Sequence, residues 1–159
     1  MDDIQPNNLT LSVIRYSKRP NIGDNVRLKC INRALSGYHQ DVANAIIACE
    51  FCDFTESEEI IRQRIVTHEK AYYIYNDSLQ KWTKEPKVIV ERDANASFIS
   101  RLEALKDTII KQDKELNYDD TRRYGNVSTI KRIESLVGKL KTNQYYRSVW
   151  SLINRMLVG

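Results

Sequence analysis

The run Ala94–Leu116, ANASFISRLEALKDTIIKQDKEL, sets Phe98, Leu102, Leu105 and Ile109 at steps of four, three and four. That spacing gathers the four side chains on one stripe of an α-helix and leaves the acids and lysines between them to solvent. A helix of this length with one apolar stripe must be covered by other elements, and the flanking sequence supplies them. Upstream, Asp24 is a plausible N-cap for a helix carrying Val26, Leu28, Ile31 and Leu35, with Gly37 as its stop. Asp41 opens a second helix whose Val42, Ala45, Ile46 and Cys49 repeat at three and four before an aromatic end at Phe51 and Phe54. Thr55-Glu56-Ser57-Glu58 has capping-box spacing, and with Ile60, Ile61 and Ile65 behind it predicts a third, short helix.

Between these helices and the long one the pattern changes. Ala71-Tyr72-Tyr73-Ile74-Tyr75 is β-prone, Asn76-Asp77-Ser78 is turn chemistry, and Gln80–Thr83 returns, so a β-hairpin is expected near 71–84, ended by Pro86. A short Val88-Ile89-Val90 piece then leads into the long helix. Downstream, Asn117–Gly125 reads as a polar loop. Ile130, Ile133, Val137 and Leu140 predict a helix from near Ser128, which Gly138 is expected to shorten, and Tyr146, Val149, Trp150, Ile153 and Leu157 predict the last one. Residues 1–22, with little periodicity and a Lys18-Arg19-Pro20 step, are expected to form a partly ordered arm. The expected fold is mainly α: a multi-helix bundle over 23–159, read as one domain, with one small hairpin whose strands cannot make a sheet of their own.

At 159 residues, with 42% hydrophobic and 29% charged residues, the composition is that of a folded globular chain rather than a disordered or fibrous one. The longest apolar runs, such as Ala45–Cys49, are too short for a bilayer, and Met1-Asp2-Asp3 has the wrong charge for a signal peptide, so an intracellular protein, cytoplasmic or nuclear, is expected. Three cysteines, an odd count, argue against a secreted disulfide framework. The net charge of +4 is unevenly spread. From Thr121 onward Arg122, Arg123, Lys131, Arg132, Lys139, Lys141, Arg147 and Arg155 face only Glu134, whereas Glu85–Asp120 carries more acids than bases. An acidic middle and a basic end suit a polyanion partner, although a solvated helical face has the same composition.

Tests for chemistry mostly exclude it. Gly-x4-Gly-Lys-Ser/Thr is absent, so there is no phosphate loop. Asp119-Asp120 falls in a predicted loop without the strand that a two-metal carboxylate core needs. Cys49, Cys52 and His68 offer three of the four ligands of a structural zinc site, but a fourth could come from Cys30 or His39 only if the first helix or its following loop folds onto the second, and the preferred reading puts both cysteines on a buried helix face. No serine sits in a nucleophile elbow, and nothing near the cysteines supplies a base and an orienting group. What remains is aromatic residues mixed with cations, which suits single strands because bases stack on rings while Lys and Arg follow phosphates. Two places carry this mixture. One is the hairpin, with Tyr72, Tyr73, Tyr75 and Trp82 beside Lys70, Lys81 and Lys84; alternation puts Tyr73 and Tyr75 on one face and Tyr72 on the other, and Trp82 reads equally as a core residue. The other is Tyr145-Tyr146-Arg147 with Lys139 and Lys141, where Trp150 belongs to the apolar stripe. Arg122, Arg123, Lys131 and Arg132 flank the polar loop as a candidate phosphate-binding edge.

In order, Asp41-Val42-Ala43-Asn44-Ala45 opening a helix, Tyr73-Ile74-Tyr75-Asn76-Asp77 turning into Lys81-Trp82, the long helix, the variable polar segment and Thr129-Ile130-Lys131-Arg132-Ile133-Glu134 make a pattern over about residues 38–141. It resembles the helical domain before the helicase in poxvirus-type primase-helicases, and the helix bundle of plasmid and phage primase-polymerases. The Cys49–His68 stretch is longer than that pattern has. The resemblance implies a non-catalytic module that binds single-stranded template DNA and the initiating nucleotide, beside a separate primase catalytic core or a replicative helicase. A small accessory subunit of an archaeal-type primase is a related expectation. No tightly bound cofactor is expected, and ATP or another NTP is the candidate ligand. The alternative is a helical protein-interaction domain that binds no nucleic acid.

Overall fold

Phe98 and Leu102 are buried, and Leu105 and Ile109 pack partly against the same core, so the stripe that organises the sequence also organises the fold. The computed structural model describes residues 23–55, 57, 59–68 and 71–157, and the expected arm over 1–22 lies outside them. Along the described residues the elements run α1 (Asp24–Ala34), α2 (His39–Glu50), β1 (Cys52–Phe54), β2 (Ile60–Gln63), β3 (Ile65–His68), β4 (Ala71–Asn76), β5 (Lys81–Glu85), α3 (Lys87–Lys114), α4 (Arg122–Leu140) and α5 (Asn143–Met156). The fold is mainly α, as the periodicity predicts.

Helix α2 is the centre of the bundle. Val42, Ala43 and every residue from Ala45 to Glu50 are buried, and its alanines let α1, α3 and α5 approach closely. Its last residue is a carboxylate, Glu50, which Arg101 of α3 engages through Nε at 2.8 Å while a second guanidinium nitrogen donates to the Cys49 carbonyl at 3.0 Å. Burial pushes the Glu50 carboxyl up despite that partner. On α5, Trp150 lies edge-on to Phe51, with ring centroids 6.3 Å apart, and its indole N–H faces the buried Asn95 side chain at 3.5 Å. Asn95 in turn donates to the Leu140 carbonyl at the end of α4, so one polar side chain ties α3, α4 and α5.

The segment 55–68 departs from expectation. The predicted third helix is replaced by strands β2 and β3. Thr55 Oγ1 accepts the Glu59 N–H at 3.1 Å, and the Thr55 N–H reaches the Glu59 carbonyl at 2.8 Å, so the threonine closes a β1–β2 hairpin instead of capping a helix. Glu56 and Glu58 of the expected capping box lie outside the described residues. The β-branched Ile60, Ile61, Ile65 and Val66 suit the extended backbone. The aromatic end expected for α2 is likewise shorter, because the helix stops at Glu50 and Cys52–Phe54 becomes β1.

The hairpin at 71–84 is present as β4 and β5, but it is two-thirds of a sheet: β3 pairs antiparallel with β4, which pairs antiparallel with β5, while β1 and β2 form a separate antiparallel pair. Arg64, at the break between β2 and β3, joins the two. Its guanidinium lies 3.2 Å from Asp53, 2.9 Å from Asp77 and 2.9 Å from the Tyr75 carbonyl, with only 2% of the side chain exposed. The sheet is held to the bundle by Thr67, whose N–H donates to the Leu157 carbonyl at 2.7 Å and whose hydroxyl donates to that of Asn154 at 3.3 Å.

Helix boundaries shift for local reasons. Helix α3 begins at Lys87 rather than Ala94, because Pro86 occupies the N-cap position, where its missing N–H costs nothing and its carbonyl accepts from Val90 at 3.1 Å. Val88-Ile89-Val90 is therefore the first helical turn. Helix α4 begins at Arg122 rather than near Ser128, since the Asp120 carboxylate takes the Arg122 N–H at 2.9 Å, and Gly138 does not shorten it. Gly23 precedes α1 with φ +86°, and a Cβ there would collide with the Phe54 ring, so this position requires glycine twice over. Among the described residues no helix is long and apolar enough to cross a membrane.

Candidate nucleic-acid interface

Lys131, Arg132 and Lys139 of α4, Lys141 just after it, and Arg147 and Arg155 of α5 are exposed to solvent. Ile133, Leu136, Val137 and Leu140 bury the opposite side of α4, and Val149, Trp150 and Ile153 that of α5. Glu134, the single acid of this region, stands 3.9 Å from Lys106 of α3. Among the described residues none of the six cations pairs with a carboxylate. Arg122 and Arg123 differ: Arg122 grips Asp120 at 2.7 Å and Arg123 reaches Asp113 at 3.4 Å. These two arginines hold the α3–α4 turn, each with a carboxylate partner that a phosphate would have to share or displace. Surface pairs of this kind contribute little stability, but they neutralise local charge.

Hydrogen bonds from the Arg122 side chain and backbone hold the Asp120 carboxyl down to about 2. With the folded value below the ordinary one of about 4, the contribution of this turn is present above about pH 4 and lost as pH falls towards about 2. An NMR titration is expected to place the Asp120 midpoint near the lower value. A midpoint near 4 would show the Arg122 contacts to be open in solution.

Along α4, Arg132, Ser135 and Lys139 recur at three and four and so share one stripe. Lys139 Nζ sits 5.8 Å from the centre of the Tyr145 ring, whose edge meets His39 at 4.9 Å. The Tyr145 hydroxyl donates to the Gly37 carbonyl at 2.7 Å, and partial burial pushes it up. Tyr145 is thus a strut that steers Lys139 and His39, and not the free stacking ring the sequence suggests. Beyond it, an open groove of about 410 Å³ is lined by His39, Arg147, Ser148, Ser151, Leu152 and Arg155. Arg155 lies between Asn154 and Leu157, the two residues whose carbonyls receive Thr67 on the inner face of the sheet.

The sheet contributes the aromatic half. Cross-strand partners Val66 and Tyr73, Tyr73 and Lys84, and Tyr75 and Trp82 share one face, and Ile65, Thr67, Tyr72 and Ile74 share the other. Tyr72 is 0% exposed, and its hydroxyl contacts Glu91 at 3.1 Å and Asn154 at 2.5 Å. Its assignment to base stacking is therefore corrected: Tyr72 is a core residue. Its hydroxyl is pushed up by burial and by the neighbouring Glu91. On the outer face the Tyr75 and Trp82 rings stand 5.5 Å apart at 73°, and Trp82 is 44% exposed. Tyr73 meets His68 at 6.4 Å, and Lys81 and Lys84 are exposed at β5. Trp82→Ala is expected to weaken oligonucleotide binding by about 1–3 kcal/mol with little change in melting temperature, whereas Tyr72→Phe does the reverse. Paired thermal melts and binding isotherms check this, and a large stability loss in the tryptophan variant would move Trp82 into the core.

Cys49 and Cys52 are buried at the α2–β1 corner, and burial pushes both thiols up to about 12. His68 is exposed on the outer sheet face instead of lying beside them. Among the described residues no group of three His, Cys, Asp or Glu side chains is placed to hold a metal ion. Sequence reasoning missed Ser148 and Ser151, and missed His39 as a groove residue. Only the packing of α2 on α5 brings them into place, and it leaves no local signal. Comparison of the chain with family models, with curated proteins and with solved structures finds no match in any of the three.

Proposed function

We propose that this chain is a non-catalytic module that holds single-stranded DNA, the part such a bundle plays in primer synthesis beside a separate primase core or replicative helicase. The observation that carries the reading is the set of six exposed cations on α4 and α5 with no carboxylate partner among the described residues, while the one acid among them, Glu134, is drawn to Lys106. Exposed cations without a carboxylate partner attract a polyanion and release its counterions. A single strand is favoured over a duplex because the outer face of the sheet carries Tyr73, Tyr75 and Trp82, and rings bind bases only where the bases are unstacked. An initiating nucleotide is the second ligand of this reading.

Fluorescence anisotropy of a labelled single-stranded oligonucleotide, titrated at several salt concentrations with and without ATP, tests the proposal. Binding that weakens steeply with salt supports it. Exposed Val88 and Ile89 at the start of α3, with Leu79 and Trp82 on the neighbouring hairpin, favour the alternative of a protein-docking surface. No oligonucleotide binding at low salt would put that alternative ahead.

A further inference from the structure

The groove between α5 and the start of α2 has a repeat built into it. Arg147, Ser151 and Arg155 are four residues apart, so they stand on one stripe at about 6 Å of axial rise per step. Ser148 flanks them, His39 forms the facing wall, and the half-buried Leu152 gives the groove an apolar patch. No acid lines it. A guanidinium can fork onto a phosphate and a serine hydroxyl can donate to one, so each step of the stripe offers a phosphate donor. The groove is open along its length and spans about 12 Å between the two arginine backbones. A nucleotide's phosphates share bridging oxygens and form a compact cluster, which meets only part of such a span. Successive phosphates of an extended strand are spaced widely enough to meet all of it.

We propose that this groove seats the backbone of a continuous single strand, with successive phosphates at Arg147, Ser151 and Arg155, one per helical turn, and His39 along the open side. The inference rests on the nucleic-acid reading above and adds a site, a register and a path. Lys139, steered by Tyr145 towards His39, feeds the strand into the groove.

The test compares the whole chain with its Arg147→Ala/Arg155→Ala double variant, using labelled oligothymidylate as the strand probe and ATP and pyrophosphate as compact probes. Both arginines are exposed, so the variant is expected to melt with the wild type. The slope of log affinity against log salt should become shallower by about 1.4 for oligothymidylate, two phosphate contacts at roughly 0.7 each, while affinity for the compact probes stays unchanged. Ser151→Asp, which places an acid at the middle step, should weaken the strand further with no effect on ATP. An unchanged slope, in a variant series where reversing Lys131 and Arg132 still weakens binding, would show that the strand bypasses the groove and would overturn the inference while leaving the proposed function standing. Loss of ATP or pyrophosphate binding with an unchanged strand slope would overturn it in favour of a compact-anion site. If the wild type binds no oligonucleotide at low salt, the parent reading falls and this one falls with it.

Discussion

Replacing Arg64 with alanine is expected to destabilise the protein by about 3–5 kcal/mol, the largest effect of any single polar substitution in the sheet. The guanidinium is almost wholly enclosed and answers two carboxylates, Asp53 on β1 and Asp77 in the β4–β5 turn, as well as the Tyr75 carbonyl. Removing it leaves two acids and a carbonyl facing one another without the cation that compensates their burial. Arg64→Lys should recover only part of the loss, since an ammonium cannot fork across three acceptors from one position. The damage should reach function too: Arg64 lies 5.8 Å from the centre of the Tyr75 ring, and that ring sets the position of Trp82. Urea unfolding of the three proteins provides the check. A loss below about 1 kcal/mol would mean that water enters and screens the cluster.

Reversing four charges, Lys131, Arg132, Lys139 and Lys141 to glutamate, is expected to lower single-strand affinity by on the order of 10²–10³-fold near 0.1 M salt. Each lost phosphate contact removes about 0.7 of the salt slope, equivalent to roughly five-fold at that concentration. The four side chains are exposed and bury nothing, so melting temperature should hardly move. Arg122→Ala with Arg123→Ala is the informative contrast, because those cations are already answered by Asp120 and Asp113. That pair should change affinity about two-fold or less. Equal losses from the two variants would mean that net charge alone governs binding and that the stripe has no special role.

The long helix and its partners are legible because a 3.6-residue period survives any tertiary context: Phe98 and Leu102, chosen by spacing alone, are buried. The 55–68 segment is not, because the Thr55 hydroxyl can accept a backbone N–H a few residues on whether it caps a helix or closes a hairpin, and four β-branched residues do not decide the period on a short window. Alternation separates Tyr72 from Tyr73 and Tyr75, yet it does not say which side faces the core. That choice is made by Glu91 and by Asn154, the latter 82 residues away in the chain. The cationic tail is legible as composition, but the distinction within it is not: only the fold shows that Arg122 and Arg123 are paired while Arg147 and Arg155 line a groove opposite His39.

Amide chemical-shift mapping with a short oligothymidylate locates directly whether the cations of α4 and α5 and the outer sheet face receive a single strand. Shifts are expected to concentrate at residues 131–141, at His39, at 147–155 and on Tyr73, Tyr75 and Trp82, fading as salt is raised. Shifts confined to the Val88-Ile89 turn or to the α3–α4 tip, or no shifts at low salt, would contradict that reading.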